Sequence, residues 1–315
     1  MLQSRTLGHF ASSAGPAALV AESILVYVVL VWLAHSAPDP FDRTLLLAIA
    51  NLGLACVLFV PQFRNGRLVP NGTTAVALSG WSVAYSITYG AFVRWPEFIS
   101  VWGLLAAQAC APLIAVFVSG DHRRDPASLT QRLVISSPIV FLIGVAFLEW
   151  KSSSHVVIAP LVAVALVVLF ALSQSCARVV ARNAPSAFWG PPRLAFLNGI
   201  LLFVFWAVVG RGGVRGGPEL LRGAAFLSVG ILAVQALYLF GLAKTAPFLS
   251  ALFLSVTVPI SIFGDSLTKN GTPHSPLSLW LSVGFSVATG LVSWTTSSER
   301  TRVVELTTPL PMEAE

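Results

Sequence analysis

Ten stretches of this chain are each about twenty residues long and nearly free of charge. They fall at roughly 17–37, 44–63, 72–94, 97–119, 129–149, 156–179, 193–210, 220–243, 247–267 and 276–295. Water has no satisfactory way to cover runs such as Val156–Phe170. The links between them are short and carry turn residues: Pro38-Asp39-Pro40, Asn65-Gly66, Asn71-Gly72, Pro191-Pro192, Gly212-Gly213 and Asn270-Gly271. Only 10% of the 315 residues are charged against 56% hydrophobic, and the mean hydropathy is +0.81. A soluble domain carries about 25% charged residues. In lipid a helix satisfies its own backbone groups, so the sequence predicts an all-α, polytopic membrane protein with ten transmembrane helices.

Several function classes drop out. The net charge of +6 comes from basic residues set singly between apolar runs, which does not suggest nucleic acid. Cys56, Cys110 and Cys176 lie within apolar runs, where small-side-chain packing is their expected role; no disulfide, metal site or cofactor is implied. No GxxxxGK[ST] sequence marks an ATP-driven pump, and neither HExxH nor GxSxG marks an enzyme. His155 and His274 have no acidic partner nearby in sequence.

Residues 1–16 read as a cytosolic segment, and the run from Ala17 as a retained anchor. With both termini in the cytosol, that side receives Arg5, Arg64, Arg67, Arg123, Arg124, Arg132, Arg178, Arg182, Arg193, Lys244, Arg300 and Arg302. This is the majority of the 19 basic residues, as the positive-inside rule requires. The polar stretch 296–315 is expected to be a disordered cytosolic tail. Asn71-Gly72-Thr73 and Asn270-Gly271-Thr272 fit the glycosylation pattern, but their tight links favour turns.

The chain also repeats itself. GWSVAYSITYGAFVRWPEFIS at 80–100 returns as GILAVQALYLFGLAKTAPFLS at 230–250. Gly80 falls on Gly230, Tyr85 on Gln235, Arg94 on Lys244 and Ser100 on Ser250. Gly80 belongs to the third span and Gly230 to the eighth. Copies an odd number of spans apart cross the membrane in opposite directions, which predicts two inverted five-helix halves at 17–150 and 151–295. Two near-equivalent halves have two near-isoenergetic packings, one open to each side.

YLFGLA (238–243), KTAPFLS (244–250) and LSVTVPISIFGD (254–265) resemble the drug/metabolite transporter superfamily, most closely the EamA-type permeases and nucleotide-sugar-transporter-like solute carriers. The resemblance is good over 230–296 and thin over 80–148. It departs where EamA-type members usually carry a second-half glutamate and this chain has Asp265, and where YGAF (89–92) replaces a tyrosine–alanine–leucine phrase. It implies a ten-span carrier in a five-plus-five arrangement.

Ionisable groups within spans are costly and invite a functional explanation. Glu22 is the one carboxylate well inside a span and is the candidate coupling residue; the alternative places it at headgroup level. Arg94 and Lys244, one per half, suit an anionic solute, although long basic side chains also reach for the interface. Tyr85 with Tyr89, and Gln235 with Tyr238, occupy matched helix faces. Gln108 and Asn198 complete the candidate solute-binding set; Asn51 and Gln174 are further neutral polar candidates. For each alone, interhelical hydrogen bonding is an alternative. Pro112, Pro138, Pro160 and Pro259 interrupt spans and are candidate hinges. The expected function is a secondary carrier or exchanger for a small polar metabolite, with nucleotide sugars and vitamin-like solutes in scope; the alternative is a non-transporting receptor or assembly factor. The expected partners are a small-molecule substrate and the bilayer, and the reading is compatible with a homodimer.

Overall fold

The computed structural model describes residues 2–36, 40–63, 71–94, 101–118, 158–183, 189–209, 218–245, 247–267 and 276–307. Among them there is helix and no strand. The helices are α1 (Leu2–Ser36), α2 (Pro40–Phe63), α3 (Gly72–Arg94), α4 (Val101–Val118), α5 (Ile158–Asn183), α6 (Gly190–Val209), α7 (Pro218–Lys244), α8 (Pro247–Ser255), α9 (Thr257–Leu267) and α10 (Pro276–Thr307). Five contain stretches long and apolar enough to cross a membrane: Ala14–Leu33, Gly72–Val93, Val164–Asn183, Gly190–Val209 and Leu220–Lys244. The expected span at 129–149, the seam at 151–155, His155, His274 and the second sequon lie outside the described residues. So do the side chains of Arg94 and Asp265.

The distribution of polarity is that of a multi-pass membrane protein. Large apolar side chains face outward: Val76 is 74% exposed, Val208 78% and Trp280 71%. Soluble monomers do not tolerate apolar surface on this scale. Glu22, Asn51, Gln108, Gln174, Asn198 and Gln235 are instead buried. The contacts between helices depend on small residues, because lipid tails remove the hydrophobic drive for association.

Neighbouring contacts fix helix directions. Gly15 lies against Lys244, Val29 against Gly230 and Trp32 against Gly223, so α1 and α7 are antiparallel. Gly80 meets Cys176 and Tyr89 meets Phe170, so α3 and α5 are antiparallel too. Leu52 meets Gly199, and Phe59 meets Phe196, which makes α2 and α6 antiparallel. By the same reasoning α2 runs parallel to α7, through Leu46–Gly223 and Gly53–Ser228. Likewise α3 runs parallel to α6, through Ser82–Asn198 and Gly90–Leu202.

Several local expectations change. The ninth expected span is two helices, broken at Val256 and not at Pro259. Pro259 sits in the first turn of α9, where a missing N–H is harmless. A proline excludes a bond to the carbonyl four residues back, here that of Ser255, and Ser286 Oγ from α10 donates to that oxygen at 2.9 Å instead. Pro160 likewise falls in the first turn of α5 and interrupts nothing. Residues 296–307, expected to be disordered, continue α10, because no Gly or Pro intervenes between Gly290 and Pro309. Helix α1 begins well before Ala17 and takes in most of the expected N-terminal segment. Asn71 is a helix cap: its Oδ1 accepts from the Thr74 N–H at 2.8 Å.

Candidate functional site

Glu22 faces inward from α1 and is 2% exposed. It falls within the apolar stretch Ala14–Leu33. Gln108 Nε2, from α4, donates to Glu22 Oε1 at 3.0 Å. Ser23 Oγ donates to Glu22 Oε2 at 3.1 Å and also reaches Leu19 O at 3.1 Å. Both donors are neutral, so each carboxylate oxygen is solvated by the protein without a countercharge from those bonds.

Beside this pair lies a small cavity of about 30 Å³, lined by Tyr85 and Tyr89 from α3 and Gln235 from α7 among apolar residues of α1, α2 and α7. That is the share of liquid volume taken by roughly one water. Tyr85 and Tyr89 pack with ring centroids 4.3 Å apart. Asn51, from α2, is fully buried; its Nδ2 donates to Leu47 O at 2.8 Å, and its Oδ1 has no partner among the described residues. Tyr89 and Tyr238 both lie within electrostatic range of Glu22. Tyr238 packs against Trp81 at 6.1 Å. Neither amide atom of Gln235 has a hydrogen-bond partner among the described residues, although the side chain is buried. A buried amide left this way is costly, and the wall of a chamber that can fill gives it a reason to be there.

The structure thus brings Glu22, Gln108, Tyr85, Tyr89, Gln235 and Tyr238 into one region. It separates the others. Asn198 Oδ1 accepts from Ser82 Oγ at 2.6 Å, an interhelical bond between α6 and α3. Lys244 is exposed at the end of α7, its Cβ side against Gly15, and does not face the chamber.

The sequence reading missed Arg178, counting it among the loop cations. It lies inside α5 and turns into the protein, where Nη1 donates to Leu242 O at 3.4 Å and Thr245 O at 3.3 Å, and Nη2 donates to Ser250 Oγ at 2.7 Å. The two carbonyls end α7, where a helix leaves oxygens without partners and its dipole favours a cation. Arg193 also belongs to a helix: it is buried near the start of α6, its guanidinium 4.0 Å from the centre of the Trp189 ring. The signal for Arg178 was present, since Gln174 precedes it by four residues on the same face of an otherwise apolar run.

No family model matches the chain, and no curated protein matches it. One solved structure, "Crystal structure of protein", superposes with a TM-score of 0.58 over 90% of this chain and 97% of that one, at 16% sequence identity. At that identity the likeness is one of fold alone.

Proposed function

We propose that this protein is a secondary carrier or exchanger that moves a small polar metabolite by alternating access between two inverted five-helix halves. The observation that carries the reading is a set of buried polar groups at the centre of a molecule whose outer surface is apolar: the Glu22–Gln108 pair joining α1 and α4, and a small, mainly aliphatic cavity into which Tyr85 and Tyr89 of α3 and Gln235 of α7 project. A bundle with only a scaffolding role has no need for a buried Gln235 whose amide meets no partner among the described residues.

The packing supports two related halves. Exchange α1, α2 and α3 with α5, α6 and α7. The contact of α1 with α7 then becomes that of α5 with α3, and α2 with α7 becomes α6 with α3, while α2 with α6 maps onto itself. All these contacts are present, and each pair keeps its relative direction after the exchange. Taken together the directions set α1 against α5, α2 against α6 and α3 against α7, as an inverted repeat requires. In this conformation the chamber is far smaller than the roughly 300 Å³ of a typical ligand pocket. The conformation is therefore read as one without room for a solute, with entry requiring one half to rock against the other. Glu22 is the candidate coupling group, and Gln108, Tyr85, Tyr89, Gln235 and Tyr238 are the candidate solute contacts.

The test is counterflow in proteoliposomes loaded with nucleotide sugars, thiamine-like vitamins or amino acids. Accumulation of a labelled solute against an unlabelled internal pool is expected. Failure of all three classes, with protein correctly inserted and folded, would leave the receptor or assembly-factor reading in its place.

A further inference from the structure

We infer that Arg178, with Gln174, forms an anion-binding subsite that takes the carboxylate or phosphate of the transported solute. This rests on the carrier reading for its purpose, but not for its chemistry. A guanidinium has five N–H donors, and Arg178 makes three hydrogen bonds among the described residues, two of them long. All three acceptors are neutral. No carboxylate among the described residues pairs with Arg178, so among them its charge meets neutral acceptors alone.

The neighbouring side chain on this face also has a donor without a partner. Gln174 is fully buried one turn before Arg178 on the same face of α5, and its Nε2 has no hydrogen-bond partner among the described residues. A guanidinium and an amide N–H thus have donors to spare one helical turn apart. An oxyanion can accept from both, and guanidinium recognises carboxylate and phosphate in the same forked geometry. Arg182, exposed one turn on and within electrostatic range of Arg178, and the exposed Lys244 at the end of α7 add positive charge to the approach. Charge so placed raises the local concentration of anions at a mouth. Tyr238 lies within electrostatic range of both Arg178 and Glu22.

The test is calorimetric titration of the purified full-length chain with inorganic phosphate and, separately, acetate, alongside Arg178→Gln and Gln174→Leu. Saturable binding of one or both probes is expected, weakened at least tenfold in each variant. Saturation by phosphate alone assigns a phosphate-bearing solute, and by acetate alone a carboxylate. Gln174→Leu removes no hydrogen bond seen among the described residues, so its melting temperature should hold or rise, which keeps loss of binding distinct from loss of fold. Absence of saturable binding by both probes, or equal binding in wild type and both variants, overturns the subsite. Counterflow by a chain that binds neither probe would overturn the subsite and leave the carrier standing. Probe binding that depends on both residues, without transport of any solute, would do the reverse.

Discussion

Gln108 Nε2 sits 3.0 Å from Glu22 Oε1, a bond that joins the fourth helix to the first inside the apolar bulk of the protein. A carboxylate and an amide held this way form a switchable pair: protonation of Glu22 changes what its oxygens accept without moving the backbone. Glu22→Gln preserves size and hydrogen-bonding capacity but removes the titration. The expected outcome is a folded protein that retains counterflow yet loses uptake driven by a pH gradient. Parallel assays in one vesicle preparation check it; full pH-driven uptake by the variant would end the coupling role.

Removing the other partner is a stability experiment. Gln108→Leu leaves Glu22 with Ser23 as its remaining side-chain donor among those seen. A buried polar group that loses its partner costs about 1–3 kcal/mol. The melting temperature in detergent should fall, and the double variant Glu22→Gln/Gln108→Leu should fall by less than the sum of the two single changes. Strict additivity would show that the bond is not energetically coupled.

Gln235→Leu tests the chamber. The change removes two polar atoms with no partner among the described residues and keeps the volume nearly constant. Stability is expected to hold or rise, by up to about 3 kcal/mol, while solute counterflow falls at least tenfold. A variant that is both more stable and fully active would make Gln235 a tolerated packing residue.

How much of this was legible in the sequence depends on what each residue type announces. Long apolar runs announce helices, and α2, α3, α6 and α7 start or end within a few residues of the segments read from hydropathy. Helix faces announce themselves by spacing, which is why Tyr85 and Tyr89 could be placed together. Which buried group meets which could not be read. The Glu22–Gln108 pair joins residues 86 positions apart, and no local rule links them. Arg178 was obscured because a cation near the end of a span looks like a loop residue until the partner helix is in view. One signal was overlooked. Leu47-Ala48 precedes Asn51 as Leu194-Ala195 precedes Asn198, at equal spacing on α2 and α6. It is a second internal match, and it falls on the pair of helices that the exchange of halves maps onto itself.

That α2–α6 contact sets up the last prediction, because it places two glycines in different surroundings. At Gly199 an added Cβ would stand 2.6 Å from Leu52 Cγ and 3.0 Å from the Leu52 backbone nitrogen. A side-chain tip can turn away, but a backbone atom moves only with its helix. At Gly53, one residue beyond Leu52, the same addition would meet Ser228 Oγ at 3.9 Å, an ordinary contact. Helix propensity favours alanine over glycine by about 1 kcal/mol at both positions, so any difference between them reports packing. Gly53→Ala should be neutral or stabilising, whereas Gly199→Ala should lower stability by about 1–3 kcal/mol, the usual cost of overpacking. If the two halves rock about this crossing, Gly199→Ala should also slow counterflow at temperatures where the variant remains fully folded, since every opening passes through the tightened contact. Thermal melts and transport rates on the same two purified variants decide the matter. Equal stability would mean that α2 and α6 are not in close contact at Gly199, and a destabilised Gly199→Ala with an unchanged transport rate would place the pivot elsewhere.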